Sequence, residues 1–187
     1  MNYRLLASLV AFAFATTAHA AMPSGWHVAG NAPQNYEMGT DRAPRPADGW
    51  IAYIHARPGA SGFGTLMQTI DATAYRGKRL RLTGALRTVE AGKAQMWMRI
   101  DGTGSKPLGF DNMDRSAVRG TADWTPCSIV LDVPDGATAI AYGFLLDGKG
   151  SVDAKPFRLE IVGTDVPVTG ADHVTLPGAP VNLGFEP

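Results

Sequence analysis

Apolar and polar residues trade places at every second position along much of this chain, in short runs broken by turn residues, and no long stretch repeats at helical spacing. Successive side chains of a strand point to opposite faces, so the pattern calls for sheets that are dry on one side. Residues 50–57 are the first clear run and 63–71 (FGTLMQTID) the second. Residues 72–77 read as a short turn or a single helical turn before the chain re-enters the sheet. Residues 78–89 put Leu80, Leu82 and Leu86 on one face and Arg79, Arg81, Thr83 and Arg87 on the other. Residues 94–101 set Met96, Met98 and Ile100 against Gln95, Trp97, Arg99 and Asp101 in the same way. The run 126–133 ends at the turn Pro134-Asp135-Gly136, and 137–146 is almost wholly apolar, as a strand covered on both faces would be. Asp147-Gly148-Lys149-Gly150 is a further turn. Residues 151–162 form the last run, where Pro156 marks an edge or a bulge because it cannot donate to a ladder. Seven or eight strands so spaced predict an all-β sandwich of two antiparallel sheets.

The ends of the chain read differently. Arg4 and the amino terminus precede an apolar run at 5–15 broken only by Ser8, and Ala18-His19-Ala20 has the small-x-small form of a cleavage site. This is the layout of a secretory signal over residues 1–20. The run is about half the roughly 20 apolar residues a membrane span needs. The expectation is a periplasmic or secreted chain without a membrane span. Of the 187 residues, 21–166 are enough for one sandwich domain with a real core, and 167–187 form a tail without alternation. Lys plus Arg number 17 and Asp plus Glu 17, so no basic field gathers a phosphate backbone and no nucleic-acid partner is expected. One cysteine, Cys127, excludes an intramolecular disulfide. It opens the alternation Cys127, Ile129, Leu131, Val133, which reads as a buried apolar position. His27, His55 and His173 are scattered, so a zinc site of His and Cys ligands has no basis.

Asp123-Trp124-Thr125 followed by SIVLDVP, then GFLLDGKG, then FRLEIV, resembles jelly-roll modules of the galactose-binding-like and carbohydrate-binding type. The earlier YRGKRLRLTGALRT is similar to the re-entry strand of those modules, and the likeness spans residues 26–162. The resemblance implies a jelly-roll β-sandwich whose function is recognition. Similar modules are attached to regulators, to esterase-like proteins and to exported proteins of unassigned function, and often begin Asn-Leu-x-Phe-Glu followed by Pro-x-Gly-Trp. Here Pro23-Ser24-Gly25-Trp26 stands near the start, whereas Asn182-Leu183-Gly184-Phe185-Glu186 closes the chain. Either the tail folds back to supply a strand, as a circular permutation would, or it is the remnant of a second module. Where such modules carry Val-Trp-x-Asp-Asp, this chain has Val152-Asp153-Ala154-Lys155-Pro156, so the resemblance implies no calcium or sugar site there.

Sugar recognition sets an aromatic ring against the apolar face of a pyranose and fixes the hydroxyls with charged or amide groups. The polar face of 94–101 offers Gln95, Trp97, Arg99 and Asp101. If 78–89 and 94–101 pair as a hairpin through Glu90-Ala91-Gly92-Lys93, Arg79, Arg81 and Arg87 join them, since cross-strand neighbours lie about 4.5–5.5 Å apart. The preferred contacts are Trp97, Arg99, Asp101, Gln95 and Arg81, with His55 and Gln68 as neighbours. The competing reading is a solvated face, on which Arg81 or Arg99 with Asp101 is a surface ion pair of about 0–1 kcal/mol. Trp97 resists that reading, because a large ring on a polar face needs a cover, either loop or ligand. Asp111, Asn112 and Asp114 offer oxygen ligands to a hard cation such as calcium but lack the spacing of a calcium loop, so no cofactor is expected. Trp124 is expected in the core. No Gly-x-Ser-x-Gly elbow and no phosphate-binding glycine loop occurs, and nothing assembles an acid, a base and a pocket. The leading expectation is therefore a non-catalytic module binding a carbohydrate or other small polar ligand. Behind it stand a structural or interaction module docking on a cell-envelope protein, and then an accessory hydrolase.

Overall fold

In a computed structural model that describes residues 22–43, 46, 49–104, 106–170 and 183, the chain is built from ten strands. These are β1 (His27–Gly30), β2 (Tyr36–Arg42), β3 (Trp50–Ala56), β4 (Phe63–Asp71), β5 (Lys78–Asp101), β6 (Gly109–Asp111), β7 (Val118–Val133), β8 (Ala139–Asp147), β9 (Ser151–Ala154) and β10 (Arg158–Val162). Every ladder among them is antiparallel. The secretory-signal expectation, and most of the tail with its Asn182–Glu186 segment, falls outside the described residues.

β5 organises both layers. Its 24 residues would reach roughly 80 Å if straight, about twice the width of a domain this size. The strand therefore passes from one sheet into the other. Residues 78–86 pair with β7 on one side, and 79–83 with β10 on the other; 86–89 pair with β9, beyond which lie β3 and β2. Residues 93–101 pair with β8, beyond which lie β4 and β1, and on their other side with β6. The hairpin expected through residues 90–93 is not formed. Glu90 does take a positive φ of 50° and the β7 register slips at successive steps between Leu86 and Ala94, but these bulges re-aim the strand without reversing it.

The core lies between the layers. Leu80, Leu82 and Leu86 from one half of β5 meet Met96, Met98 and Ile100 from the other, together with Leu66, Ile129, Ile140, Phe144 and Leu146. β8 is buried on both faces, as its composition requires. Thr88 sits at the junction with its hydroxyl buried and unpaired. Cys127 is buried beside this core, and burial pushes its thiol up to about 11. The run expected as one strand over 151–162 is two, β9 and β10, separated at Lys155-Pro156-Phe157. Phe157 turns inward there because Gly84 has no side chain; a Cβ on Gly84 would stand 2.6 Å from the Phe157 ring.

Candidate functional site

The outer face of the sheet containing residues 93–101 carries an open cavity of about 460 Å³. Cross-strand register explains its shape. Trp97 stands opposite Gly143 on β8, and Gly143 pairs in turn with Met67 on β4. With no side chain at 143, the indole crosses β8 and its Nε1 donates to Thr65 Oγ1 on β4 at 2.9 Å. The Thr65 hydroxyl donates onward to the Phe144 carbonyl at 2.8 Å. Trp97 is thereby only 6% exposed and forms the floor; part of the cover the sequence demanded is its own sheet.

Gln95 is also buried and donates to the Asn112 carbonyl at 2.6 Å. It ties the chain after β6 over the face and thereby sets one wall. That wall presents Phe110, opposite Arg99 in register and 46% exposed. The Arg99 guanidinium donates from Nε and Nη2 to both carboxylate oxygens of Asp101, at 2.8 to 3.1 Å. This fork fixes the guanidinium plane at the edge of the cavity. Lys93 and Asp147 complete the polar lining, and Lys93 is ion-paired with Asp114. That Lys93 contact holds the Asp114 carboxyl below the usual carboxylate range.

Trp97, Gln95 and Arg99 thus share one cavity, with Asp101 orienting Arg99. Arg81 is remote, because β5 does not double back: it pairs with Glu160 of β10 at 2.6 Å on the other sheet. His55 is on that other sheet as well, stacked on Tyr53 with ring centroids 4.5 Å apart and 3.9 Å from Asp153. Burial would raise the Asp153 carboxyl, but His55 and Arg87 beside it outweigh that and hold it below its ordinary value. Gln68 faces inward and accepts from the Tyr142 hydroxyl at 2.5 Å. Asp111 caps its own turn by accepting from Met113 N at 2.7 Å, so Asp111, Asn112 and Asp114 serve three separate contacts. Among the described residues, no group of three His, Cys, Asp or Glu side chains is placed to hold a metal ion.

Phe110, Lys93, Asp147 and Thr65 are lining residues that sequence reasoning did not single out. Phe110 lies in the three-residue β6, too short to alternate, and Lys93 lay in the supposed turn. Trp124, expected in the core, is instead half-buried beneath Arg87 and Lys155, whose cationic groups stand 4.8 and 4.9 Å from its ring centre.

The fold is the antiparallel jelly roll of carbohydrate-binding modules. The CBM22-1 xylan-binding domain from Paenibacillus barcinonensis superposes with a TM-score of 0.54 at 12% identity, over 77% of this chain and 90% of that one. TmCBM61, in complex with β-1,4-galactotriose, gives 0.52 at 13% identity over 76% and 92%. The enzymatically active domain of bacteriophage CBA120 tailspike protein 4 gives 0.58 at 13% identity, over 74% of this chain but 20% of that one. In sequence, the chain is 36% identical over 170 residues to YbfP of Bacillus subtilis, an uncharacterized HTH-type transcriptional regulator. The match takes in 87% of this chain and 56% of that relative, so the chain spans little more than half its length. No family model matches the chain. The described residues contain no α-helix.

Proposed function

We propose that the protein is an exported, non-catalytic module that holds a saccharide or another small polar ligand in the cavity over Trp97. The observation that carries this reading is one cavity with an aromatic floor, an exposed aromatic wall and polar groups at its edge. A pyranose has an apolar C–H face and a belt of hydroxyls. Phe110, more exposed than the other lining ring Phe63, is the ring best placed for stacking, while Arg99, Lys93 and Asp147 supply donors and acceptors for the belt. Among the described residues lining the cavity, Asp147 is the one carboxylate, whereas glycoside hydrolysis ordinarily takes a pair; this favours binding over cleavage. The jelly-roll modules described as xylan-binding or complexed with galactotriose support the saccharide class. The regulatory name of the Bacillus subtilis relative is compatible with this reading, since a regulator can carry a module that recognises a small molecule.

The test is a calorimetric and thermal-shift titration with β-1,4-galactotriose and xylo-oligosaccharides, with calcium and with a chelator. A ligand at 100 times its Kd stabilises by about 2.7 kcal/mol. Phe110→Ala is expected to weaken binding at least tenfold while leaving the melting temperature unchanged. Silence across the panel, or binding indifferent to Phe110, rejects the site. Export rests on residues 1–20, and amino-terminal sequencing of protein from the extracytoplasmic fraction should begin at Ala21.

A further inference from the structure

A second space opens between the two sheets, on the far side of β5 from the Trp97 cavity. It is a cleft of about 340 Å³. Leu82, Phe144 and Ala154, all 0 to 2% exposed, line its inner end, so it reaches the core. Its mouth is framed by Trp50 and by Pro23 and Trp26 of the Pro23-Ser24-Gly25-Trp26 motif.

That motif has a defined task here. Trp26 N donates to the Pro23 carbonyl at 3.1 Å, closing a turn, and Gly25 takes a φ of +79°. That positive φ is what favours glycine here; a Cβ on Gly25 would stand 2.7 Å from Gln68 Nε2, the movable end of a flexible side chain. The turn sets Trp26 edge-on to Tyr142, with centroids 6.0 Å apart at 86°, and to Phe157 at 5.9 Å and 62°. Phe157 meets Phe144 in the same way, at 6.0 Å and 77°. Aromatic rings favour this edge-to-face packing, and a further ring entering the cleft can continue it.

Polar side chains are few among a mostly apolar lining: Thr40, Gln68, Tyr142 and Lys155, the last with its ammonium over the Trp124 ring. The Tyr142 hydroxyl gives its proton to Gln68 Oε1 at 2.5 Å, which leaves the tyrosine oxygen able to accept and the Gln68 amide able to donate. A saccharide carries a hydroxyl on nearly every ring carbon, and most would lose water here without gaining a partner. An aromatic ring with a single hydroxyl would not. An apolar cavity of about 150 Å³ admits benzene, and this cleft is roughly twice that volume.

We propose that the cleft framed by Trp26, Tyr142, Phe157 and Gln68 is a second ligand site, for a phenol-type aryl group. It is independent of the saccharide site, because no residue lines both spaces. The cleft makes the protein a binder of two chemistries, a polyhydroxylated one on an outer sheet face and an aromatic one between the sheets.

The experiment is a titration of the full chain with phenol and with indole, read by calorimetry and by NMR contacts from the ligand ring to the protein aromatics. Saturable binding is expected, with ligand protons close to Trp26, Tyr142 and Phe157. Ala52 lines the cleft, and Ala52→Phe fills it; phenol affinity should fall at least tenfold with the melting temperature unchanged or raised. Phe110→Ala should leave phenol binding as it is. No saturable binding of either probe by the unaltered chain overturns the proposal whatever the variants do. So does ring contact elsewhere on the surface, or binding that survives a folded Ala52→Phe.

Discussion

The two halves of β5 carry the same alternation and put it to opposite uses. On residues 78–89 every outward arginine finds a carboxylate on a neighbouring strand: Arg79 with Asp132 at 2.7 Å, Arg81 with Glu160 at 2.6 Å and Arg87 with Asp153 at 2.6 Å. On residues 93–101 Lys93 still stands opposite a carboxylate, Asp147, at the end of the ladder, but Gln95, Trp97 and Arg99 stand opposite Leu145, Gly143 and Ala141 of β8. Charges meeting charges close a surface, whereas Trp97 and Arg99 facing a glycine and an alanine leave a hollow with a ring on its floor. The identity of the strand next door decides whether a polar face becomes a solvated surface or a cavity.

Replacing the floor should do the most damage. Trp97→Ala is expected to cost about 3–5 kcal/mol in urea unfolding, as loss of a buried ring generally does, and it leaves Thr65 without its donor. Gly143→Ala comes next, because a Cβ there would stand 2.3 Å from the Leu66 carbonyl oxygen; a destabilisation of about 1–3 kcal/mol, typical of overpacking, should appear in the same assay. If both cost as little as a surface change, the contrast between the halves is void. At the junction, Thr88→Val removes a buried hydroxyl without a partner and should stabilise by about 1 kcal/mol.

On the charged half, Asp153→Asn should cost about 1 kcal/mol at neutral pH, discounted for the solvent that reaches the pair. A carboxyl held below its ordinary value in the folded state contributes stability above about pH 3.9 and loses it as pH falls through the folded value. The variant and the parent should therefore converge in acid. The smallest effect belongs to Arg81→Gln, on a half-buried pair that solvent still reaches, which should move the melting temperature by little more than experimental scatter and less still in high salt.

Much of the fold was legible in the sequence because strand alternation is local. β4 was bounded to the residue, and the paired apolar faces of β5 were read correctly on both sides of Glu90. The turn-like Glu90-Ala91-Gly92-Lys93 was a true signal of departure from regular strand, and Glu90 has the positive φ. Local composition does not say whether a departure reverses the chain or merely bends it. That ambiguity separated Arg81 from Trp97. β1 and β2 escaped notice because each is short in apolar residues; Tyr36 and Met38 alternate for two positions before Gly39 and Thr40 end the signal. Trp97, Gln95 and Arg99 were found together because one strand presents them. Phe110 was not, because it reaches the same cavity from β6, brought there only by tertiary pairing.

A strand that belongs to both sheets also constrains how such a sequence can change length. Deleting one residue from 78–86 or from 94–101 would exchange inward leucines and methionines for outward arginines over the rest of that segment. The bulged stretch between Leu86 and Ala94, where register already slips, is where β5 can absorb a gained or lost residue. Lineages carrying this module are therefore expected to gather their length variation in that stretch and in the loops, and to keep both flanking segments free of gaps.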